Sequence, residues 1–384
     1  AVFGPNNFPF AFGSVSGGDF AAAIAAGNPV IGKANSSHPG TTRIFAEQAL
    51  KAAELAGVPK AIVQLIYRTS HTDGEKLVSD PRLGASGYTG SRGAGLKLKS
   101  AADAAGKPIY LELSSVNPVI LLPGVLSERG ESLVDEFVGS SLMGTGQFCT
   151  NPGIVFVPNN HDGKAFTQAV KKQFDSTAAG TLLSEGTEKA LSESIAFLEQ
   201  NGANRLTTGD TSDPGKFSCA NALLSASIED FLEKPQALQT EAFGNAALFV
   251  SYTHVEQLVG AISALEGNLT GCIYSDSQGS DNSAYNQIAS LLSQKVGRLL
   301  NDKMPTGVAV SSAMNHGGPF PATGHPGHSA VGIPGTIRRF AMLQCYDGVR
   351  PERLPELLRD ASPSENTWRL IDGHWSTGEV VTAG

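Results

Sequence analysis

One cysteine of this 384-residue chain, Cys149, lies in a run of small and polar residues, GTGQFCTNPG (144–153). A cysteine thiolate is a strong nucleophile, although most free cysteines are buried and inert. A lone carboxylate, Glu112, interrupts the apolar segment PIYLELSS (108–115). A buried carboxyl without a partner is costly, so Glu112 either makes structural hydrogen bonds or has a raised pKa suited to a base. A thiol and a base together would suit nucleophilic catalysis.

Two further features could bind an anion. GSRGAG (90–95) follows a strand-like segment and opens a helix, so its backbone N–H groups would face a phosphate. Lys33 ends an apolar run, where ligands of open α/β sheets bind, although a solvated lysine is the alternative.

His325 and His328 have an H-x-x-H spacing, but they lie in a Gly/Pro-rich loop without an obvious third ligand. We therefore predict no metal site.

The elements that must position these residues alternate between strands and helices from residue 28 to residue 115. NPVIGK (28–33), AIVQLIY (61–67) and PIYLELSS are apolar runs of strand length. HPGTTRIFAEQALKAAELAG (38–57) has the early proline, the apolar spacing and the glycine stop of a helix, and GEKLVSD (74–80) also reads as helical. The alternation predicts an α/β fold with a doubly wound parallel sheet.

Composition excludes several classes of protein. The net charge of −8, with acidic and basic residues interspersed, provides no basic stripe for nucleic acid. No run approaches the roughly 18 apolar residues of a membrane span. The length predicts two or three domains. The lack of C-x-x-C spacing argues against a disulfide scaffold or structural zinc and favours a reducing cytoplasm. The four cysteines are Cys149, Cys219, Cys272 and Cys345.

Taken in order, these segments resemble the aldehyde dehydrogenase superfamily over nearly the whole chain. GPNNFPF (4–10) is similar to the family's Trp-Asn-Phe-Pro segment and LELSSVNPVI (111–120) to its Glu-Leu-Gly-Gly motif. GQFCT (146–150) is similar to the motif of the nucleophilic cysteine. The cofactor segments of the family are matched by VIGKANSSHPG (30–40), GYTGSRGAG (87–95) and EAFGN (241–245).

The resemblance implies a role for each catalytic residue. Cys149 would attack an aldehyde, and the thiohemiacetal would lose hydride to a nicotinamide, leaving a thioester for water to cleave. Asn7 and the Cys149 backbone N–H would stabilise the oxyanion, and Glu112, its pKa raised by an apolar strand, would be the general base. His316 stands in a His-Gly-Gly-Pro segment that replaces the commoner Phe-Gly-Gly, so it could approach Cys149.

The resemblance also implies NADP as the cofactor, with NAD possible. Ser36 stands where many NAD-using members have a glutamate that repels a 2′-phosphate, and it could donate to that phosphate. Arg68 or His71 could bind the same group. The expected contacts to the ribose rings and the pyrophosphate are made by Lys33, Gly90, Ser91, Gly95, Glu241 and Phe243.

The segments 304–332 and 338–347 resemble the branch that contains α-ketoglutarate semialdehyde dehydrogenases and NADP-dependent bacterial fatty aldehyde dehydrogenases. This resemblance implies oxidation of a semialdehyde such as 2,5-dioxopentanoate, with a fatty aldehyde as the alternative. Because the family segment ahead of Trp-Asn-Phe-Pro is not in this sequence, a truncated, catalytically silent homologue with a binding or structural role is a second hypothesis. A thiol hydrolase that needs no cofactor is a third.

Three regions follow from the same resemblance. Residues 1–114 are expected to form an N-terminally incomplete cofactor-binding domain and residues 115–330 an α/β catalytic domain. Residues 331–384 are expected to form a C-terminal return and oligomerisation segment. The resemblance implies a cytoplasmic homodimer or homotetramer that acts on a small aldehyde.

Overall fold

The computed structural model describes residues 1–210, 212–213, 215–307, 311, 313–328, 334–361, 364 and 366–377. The chain divides into two compact units, Ala1–Phe340 and Ala341–Gly384. The first unit contains two sheets covered by helices, one parallel and one parallel except at one edge pair. The boundary predicted between residues 330 and 331 stays a prediction.

The first sheet has the strand order β3-β2-β1-β4-β5, and every neighbouring pair is parallel. The chain builds outward from β1 to β3 and then returns to β4, so the strand order reverses between β1 and β4. Ligands of doubly wound sheets bind at the carboxyl ends of the strands at such a reversal. The predicted doubly wound sheet is confirmed. Its strands are β1 (Val2–Phe3), β2 (Val30–Lys33), β3 (Val63–Ile66), β4 (Ser86–Thr89) and β5 (Ile109–Glu112).

Four helices connect these strands, each between consecutive strands of the chain. Pro39 at the first position of α2 fits the proline signal, because the missing N–H is one that a helix start leaves unbonded anyway. The helix predicted at 74–80 begins earlier, because the Ser70 hydroxyl accepts a hydrogen bond from the Asp73 N–H and caps it. The helices are α1 (Gly18–Ala25), α2 (Pro39–Leu55), α3 (His71–Ser79) and α4 (Arg92–Ala104), and a 3₁₀ turn covers Lys60–Ile62.

The second sheet has the order β12-β11-β6-β7-β10-β9-β8, and all its pairs are parallel except β8 with β9. Its central strands are buried on both faces, which explains the mainly apolar sequences of β7 and β10. The strands are β6 (Val119–Leu121), β7 (Ile154–Pro158), β8 (Asn204–Arg205), β9 (Ala222–Ser227), β10 (Ala246–Tyr252), β11 (Asn268–Tyr274) and β12 (Val296–Asn301). The helices are α5 (Pro123–Leu142), α6 (His161–Ser176), α7 (Glu185–Gln200), α8 (Ile228–Glu233), α9 (Pro235–Leu238), α10 (Val255–Ala264) and α11 (Asn282–Leu292).

The remaining elements are short. In the second unit, β13 (Arg369–Ile371) pairs antiparallel with β14 (His374–Ser376). The 3₁₀ turns that have not yet been named cover Met143–Gly146, Pro334–Phe340, Pro351–Arg353 and Glu356–Leu358. Within the described residues, no helix is both long enough and apolar enough to cross a lipid bilayer.

Candidate active site

The loop that carries Cys149 is shaped by three consecutive residues with positive φ. Gly144, Thr145 and Gly146 have φ values of 56°, 60° and 67°, which return the chain sharply after α5. Gly146 has no room for a side chain, because a Cβ there would overlap the Gly244 carbonyl. This close approach packs the cysteine loop against the segment that follows Glu241. Cys149 is half-buried in the resulting corner.

Asn117, in the connection between β5 and β6, holds the cysteine loop. Its side-chain amide donates to the carbonyl oxygens of Cys149 and Asn151, each at 2.9 Å. Its Oδ1 accepts from the Thr270 hydroxyl on β11, also at 2.9 Å. Asn117 is fully buried and has a φ of 45°, a conformation that asparagine tolerates better than most residues. The backbone around the thiol is therefore fixed by the second sheet.

Glu112 and His316 meet beside the thiol. His316 Nε2 lies 3.1 Å from Glu112 Oε1 and 3.6 Å from Cys149 Sγ. Glu112, at the end of β5, and His316 are only 5% and 7% exposed. The structure thus brings together the three residues that the sequence predicted as nucleophile, base and neighbouring histidine.

Backbone contacts bring the histidine loop to β5. The Leu113 N–H donates to the Ala322 carbonyl at 2.9 Å, and the Gly324 N–H donates to the Leu111 carbonyl at 3.1 Å. Gly318, two residues after His316, lies against the Asn268 carbonyl so closely that a Cβ would overlap it. Gly318 therefore permits a loop path that any larger residue at this position would displace.

The electrostatics of this cluster differ from the prediction. Burial opposes the charge on Glu112, but the adjacent His316, together with the Arg339 charge and a hydrogen bond from Cys149, holds the pKa of Glu112 below its usual range. Burial also opposes the charge on His316, yet Glu112 and Cys149 raise the pKa of His316 well above its ordinary value. The predicted raised pKa of Glu112 is therefore wrong, because the sequence could not show that a cation would face this carboxylate.

The thiol itself is not strongly activated in the free protein. Burial raises the pKa of Cys149, and the nearby Glu112 and Glu241 carboxylates add to this effect. His316 acts in the opposite direction and is the group that favours the thiolate. The ease of forming the nucleophile therefore depends on the charge of His316.

Asn7 lies beside the cysteine loop. Its amide nitrogen donates to the Gln147 carbonyl at 3.0 Å. Within the described part of the chain, the Cys149 backbone N–H has no hydrogen-bond acceptor. Aromatic rings close one side of the site, where the Phe12 ring stacks on His316 at a centroid distance of 6.3 Å. Asn7 therefore contacts the loop that carries the thiol at a position two residues before Cys149.

Glu241 and Phe243 line a cavity next to the cysteine loop. The Ser115 N–H donates to Glu241 Oε1 at 3.4 Å. Burial, only partly offset by this bond, raises the pKa of Glu241 to about 7. Glu241 also contributes to the pKa of Cys149, so the structure places it within electrostatic range of the thiol.

A second cleft, of about 370 Å³, lies at the carboxyl ends of β1, β2 and β4. Four of the predicted cofactor residues line it: Lys33, His71, Gly90 and Ser91. Ser36 is exposed and is not among the lining residues. Gly95 serves the packing of α4, because a Cβ there would lie 2.5 Å from Leu113 Cδ2.

The residues that line this cleft suit the anionic part of a dinucleotide. Ser91 precedes the first turn of α4 and does not cap it with its side chain, so the backbone N–H groups of that turn can bind a phosphate. Burial and the nearby Arg68 charge lower the pKa of Lys33, which indicates a locally positive environment. The residues present therefore suit the anionic pyrophosphate and ribose groups of NADP or NAD.

His325 and His328 do not face one another as paired ligands. His325 Nε2 lies 3.0 Å from the Ile109 carbonyl oxygen, and both rings pack on Tyr110. Across the described ranges, the group of side chains that could hold a metal ion is Glu112, Cys149 and His316.

Sequence reasoning missed Asn117 and Arg298. Arg298, on β12, is half-buried and donates to the Asn315 carbonyl, next to His316, at 3.0 Å. Burial lowers the pKa of Arg298, whereas the thiolate of Cys149 raises it. The guanidinium therefore lies within electrostatic range of the thiol. The sequence does contain a signal for Arg298, which is a charged residue inside the strand-like segment KVGRLLND. The same pattern, a charge within an apolar strand, identified Glu112.

Comparisons with known proteins agree on one family. The model of the Aldehyde dehydrogenase family matches residues 1–318. Alpha-ketoglutaric semialdehyde dehydrogenase 2 of Azospirillum brasilense is 38% identical over 375 residues, which cover 97% of this chain and 70% of the relative. The alpha-ketoglutaric semialdehyde dehydrogenase of Acinetobacter baylyi is 37% identical over 380 residues, with the same coverage.

Solved structures support the fold. Glyceraldehyde-3-phosphate dehydrogenase GapN from Methanocaldococcus jannaschii, complexed with NADP, superposes with a TM-score of 0.70 at 18% identity, covering 88% of this chain and 70% of that one. An NAD-dependent aldehyde dehydrogenase from Sinorhizobium meliloti also gives a TM-score of 0.70 at 18% identity, covering 88% and 64%.

Proposed function

This chain belongs to the aldehyde dehydrogenase family, a family of NAD(P)-dependent oxidoreductases, and we propose that it oxidises the semialdehyde 2,5-dioxopentanoate with NADP⁺. The observation that carries the proposal is the convergence of Cys149, Glu112 and His316 within hydrogen-bonding reach. The substrate is supported by two relatives at 37% and 38% identity whose names specify alpha-ketoglutaric semialdehyde.

The first step is attack by Cys149 Sγ on the aldehyde carbon. Glu112, ionised at neutral pH because its pKa is lowered, accepts the thiol proton. The His316 imidazolium, 3.6 Å from Sγ, stabilises the thiolate that results. Asn7 and the Cys149 backbone N–H then donate to the oxyanion of the thiohemiacetal. Each such donor contributes about 3 kcal/mol in comparable enzymes.

NAD(P)⁺, when bound, supplies the acceptor for the hydride. Lys33 would hold a ribose of that cofactor, the first turn of α4 its pyrophosphate, and Glu241 its nicotinamide ribose. Glu112, after losing its proton to solvent, serves as the base for the water that cleaves the Cys149 thioester. His316 again supports this step by keeping Glu112 ionised.

Arg298 would bind the carboxylate of the semialdehyde. Its guanidinium is half-buried, and in the part of the chain that the structure describes no carboxylate lies within 4.0 Å of it. A cation near the thiol without an acidic partner suits a substrate that carries a negative charge at the end opposite its aldehyde. This contact favours 2,5-dioxopentanoate over a long apolar aldehyde.

The test is formation of NADPH with 2,5-dioxopentanoate, succinate semialdehyde and a long-chain aldehyde, each with NADP⁺ and with NAD⁺. We expect the highest kcat/KM with 2,5-dioxopentanoate and NADP⁺, and complete loss of activity in Cys149→Ala. The matched control is Cys345→Ala, which changes an exposed cysteine of the second unit. This variant should be fully active. A folded protein that reduces neither cofactor with any aldehyde would overturn the proposal.

Labelling of Cys149 separates the other two hypotheses. A catalytically silent homologue would not change its labelling rate when NADP⁺ is added. A thiol hydrolase would cleave an activated ester at a rate that NADP⁺ does not alter, and it would not form NADPH.

We also propose a cytoplasmic homodimer or homotetramer. The four cysteines are free, which suits a reducing compartment. The second unit exposes several large apolar side chains, as subunit contacts require. These side chains are Met342, Leu343, Leu357, Leu358, Trp368, Leu370 and Trp375.

A further inference from the structure

The thiol, imidazole and carboxylate at the candidate active site also form a set of metal ligands. One ligand atom from each of Cys149, His316 and Glu112 lies within 4.8 Å of the other two. The Sγ to Nε2 distance is 3.6 Å and the Nε2 to Oε1 distance is 3.1 Å. These atoms come from three separate segments of the chain, so the fold and not a local motif assembles them.

The spacing matches a tetrahedral zinc site. Zinc bonds of about 2.3 Å to sulfur and about 2.0 to 2.2 Å to nitrogen and oxygen give tetrahedral edges of about 3.6 Å for S to N and about 3.3 Å for N to O. The observed distances differ from these edges by a few tenths of an ångström. The third edge, between Sγ and the Glu112 oxygen, is at most 4.8 Å. Rotation of the side chains could bring all three atoms to bonding distance of one ion.

A second observation also points to a ligand. Glu112 is 5% exposed, and its second carboxylate oxygen, Oε2, is buried without a hydrogen-bond partner among the described residues. A buried carboxylate oxygen without a donor is costly, and a cation removes that cost. When an ion binds, the thiol of Cys149 and the imidazolium of His316 each release a proton to solvent. The resulting thiolate and the carboxylate together neutralise the charge of a divalent ion.

We propose that Cys149, His316 and Glu112 bind Zn²⁺ and that the bound ion blocks the thiol. Three protein ligands leave a fourth position open to water. The sulfur ligand favours zinc over Mg²⁺ or Ca²⁺, which prefer oxygen ligands. The metal site is independent of the proposed function, whereas the inhibition rests on it, because an aldehyde can be attacked only by a free sulfur. This proposal departs from our prediction that the chain has no metal site.

Titration of the full chain with Co²⁺ tests the site directly. We expect one equivalent per chain to produce a thiolate-to-cobalt charge-transfer band and the visible bands of tetrahedral cobalt, and Zn²⁺ to displace both. Cys149→Ser should abolish the charge-transfer band, and His316→Phe should weaken Zn²⁺ binding at least tenfold. The controls are Cys345→Ser and His325→Phe, which change a cysteine and a histidine outside the cluster. Both variants should bind Co²⁺ and Zn²⁺ as the parent does.

A second measurement needs no variant. Zn²⁺ should slow alkylation of Cys149 by iodoacetamide at least tenfold, read by mass spectrometry, and a chelator should restore the rate. Unchanged Zn²⁺ affinity in His316→Phe, or an unprotected Cys149, would overturn the proposal. The cobalt spectrum is recorded without aldehyde or cofactor. A protein with the cobalt bands but no NADPH formation would therefore refute the proposed function and leave the metal site standing.

Discussion

Replacing His316 with phenylalanine should make Cys149 a markedly poorer nucleophile. Phenylalanine occupies a similar volume and is the residue of the commoner Phe-Gly-Gly segment, so the loop should keep its path beside β5. The change removes the cation that lies 3.6 Å from Sγ and favours the thiolate. The pKa of Cys149, already raised by burial, should rise further, and the pKa of Glu112 should rise with it.

The size of the effect follows from the distance. Opposite unit charges 3.6 Å apart attract by about 5 kcal/mol at an effective dielectric constant of about 20. Glu112 lies 3.1 Å from the same nitrogen and takes much of this attraction, and Cys149 is only half-buried. If about a third of this attraction acts on the thiolate, removal of His316 destabilises the thiolate by roughly 1.5 kcal/mol. The population of the thiolate at neutral pH then falls about tenfold.

The assay is the pH dependence of Cys149 alkylation, because the thiolate is the form that reacts. We expect His316→Phe to react about tenfold more slowly near neutral pH and to reach the parental rate only at higher pH. His325→Phe, in the same loop and outside the cluster, should react as the parent does, and Cys149→Ser should show no labelling at this site. Equal rates in His316→Phe and the parent near neutral pH would refute the electrostatic account.

Four further outcomes are expected. Asn117→Ala should lower the free energy of unfolding in urea by about 3 kcal/mol, because the Cys149 and Asn151 carbonyls lose their donor; a loss below about 1 kcal/mol would contradict this. Gly95→Ala should cost about 1 to 3 kcal/mol of stability and weaken NADP⁺ binding by calorimetry, because its Cβ would meet Leu113 and shift the first turn of α4, whereas Gly84→Ala, with open space and outside the cleft, should do neither. The pKa of Glu241 in the folded protein, about 7, exceeds its ordinary value of 4.5. The contribution of Glu241 to the free energy of unfolding should therefore fall by about 2 to 3 kcal/mol from about pH 5 to about pH 8. Urea unfolding of Glu241→Gln should lack this fall. Arg298→Gln should raise KM for 2,5-dioxopentanoate at least tenfold and leave KM for an uncharged aldehyde unchanged; equal effects on both would remove Arg298 from carboxylate binding.

Much of the first sheet could be predicted from the sequence. The apolar runs that became β2, β3 and β5 and the helix α2 carry local signals, such as strand length, a proline at the helix start and a glycine stop. The start of α3 was predicted a few residues late, because the cap formed by Ser70 has a weaker signal than a glycine or a proline.

The candidate site could be predicted in part. Cys149, Glu112, Asn7 and His316 could be identified because each stands in a short motif with a recognisable neighbourhood. Arg298 was missed although the sequence shows a charge inside an apolar strand, and Asn117 was missed because its φ of 45° becomes visible only in the folded chain. The role expected of Ser36 toward the cofactor stays a prediction, and Ser36 is exposed and does not line the cleft.

The sequence by itself determined the order of strands and helices, the segments that carry the chemistry and the family. Only the tertiary structure decided the charges of the site. The pKa of a buried carboxylate is raised when the carboxylate is alone and lowered when a cation faces it. The cation that faces Glu112 is His316, which lies 204 residues away along the chain. That contact exists because the backbone of the histidine loop bonds to Leu111 in β5 and to Leu113 just after it, a pairing that no local pattern in the sequence encodes.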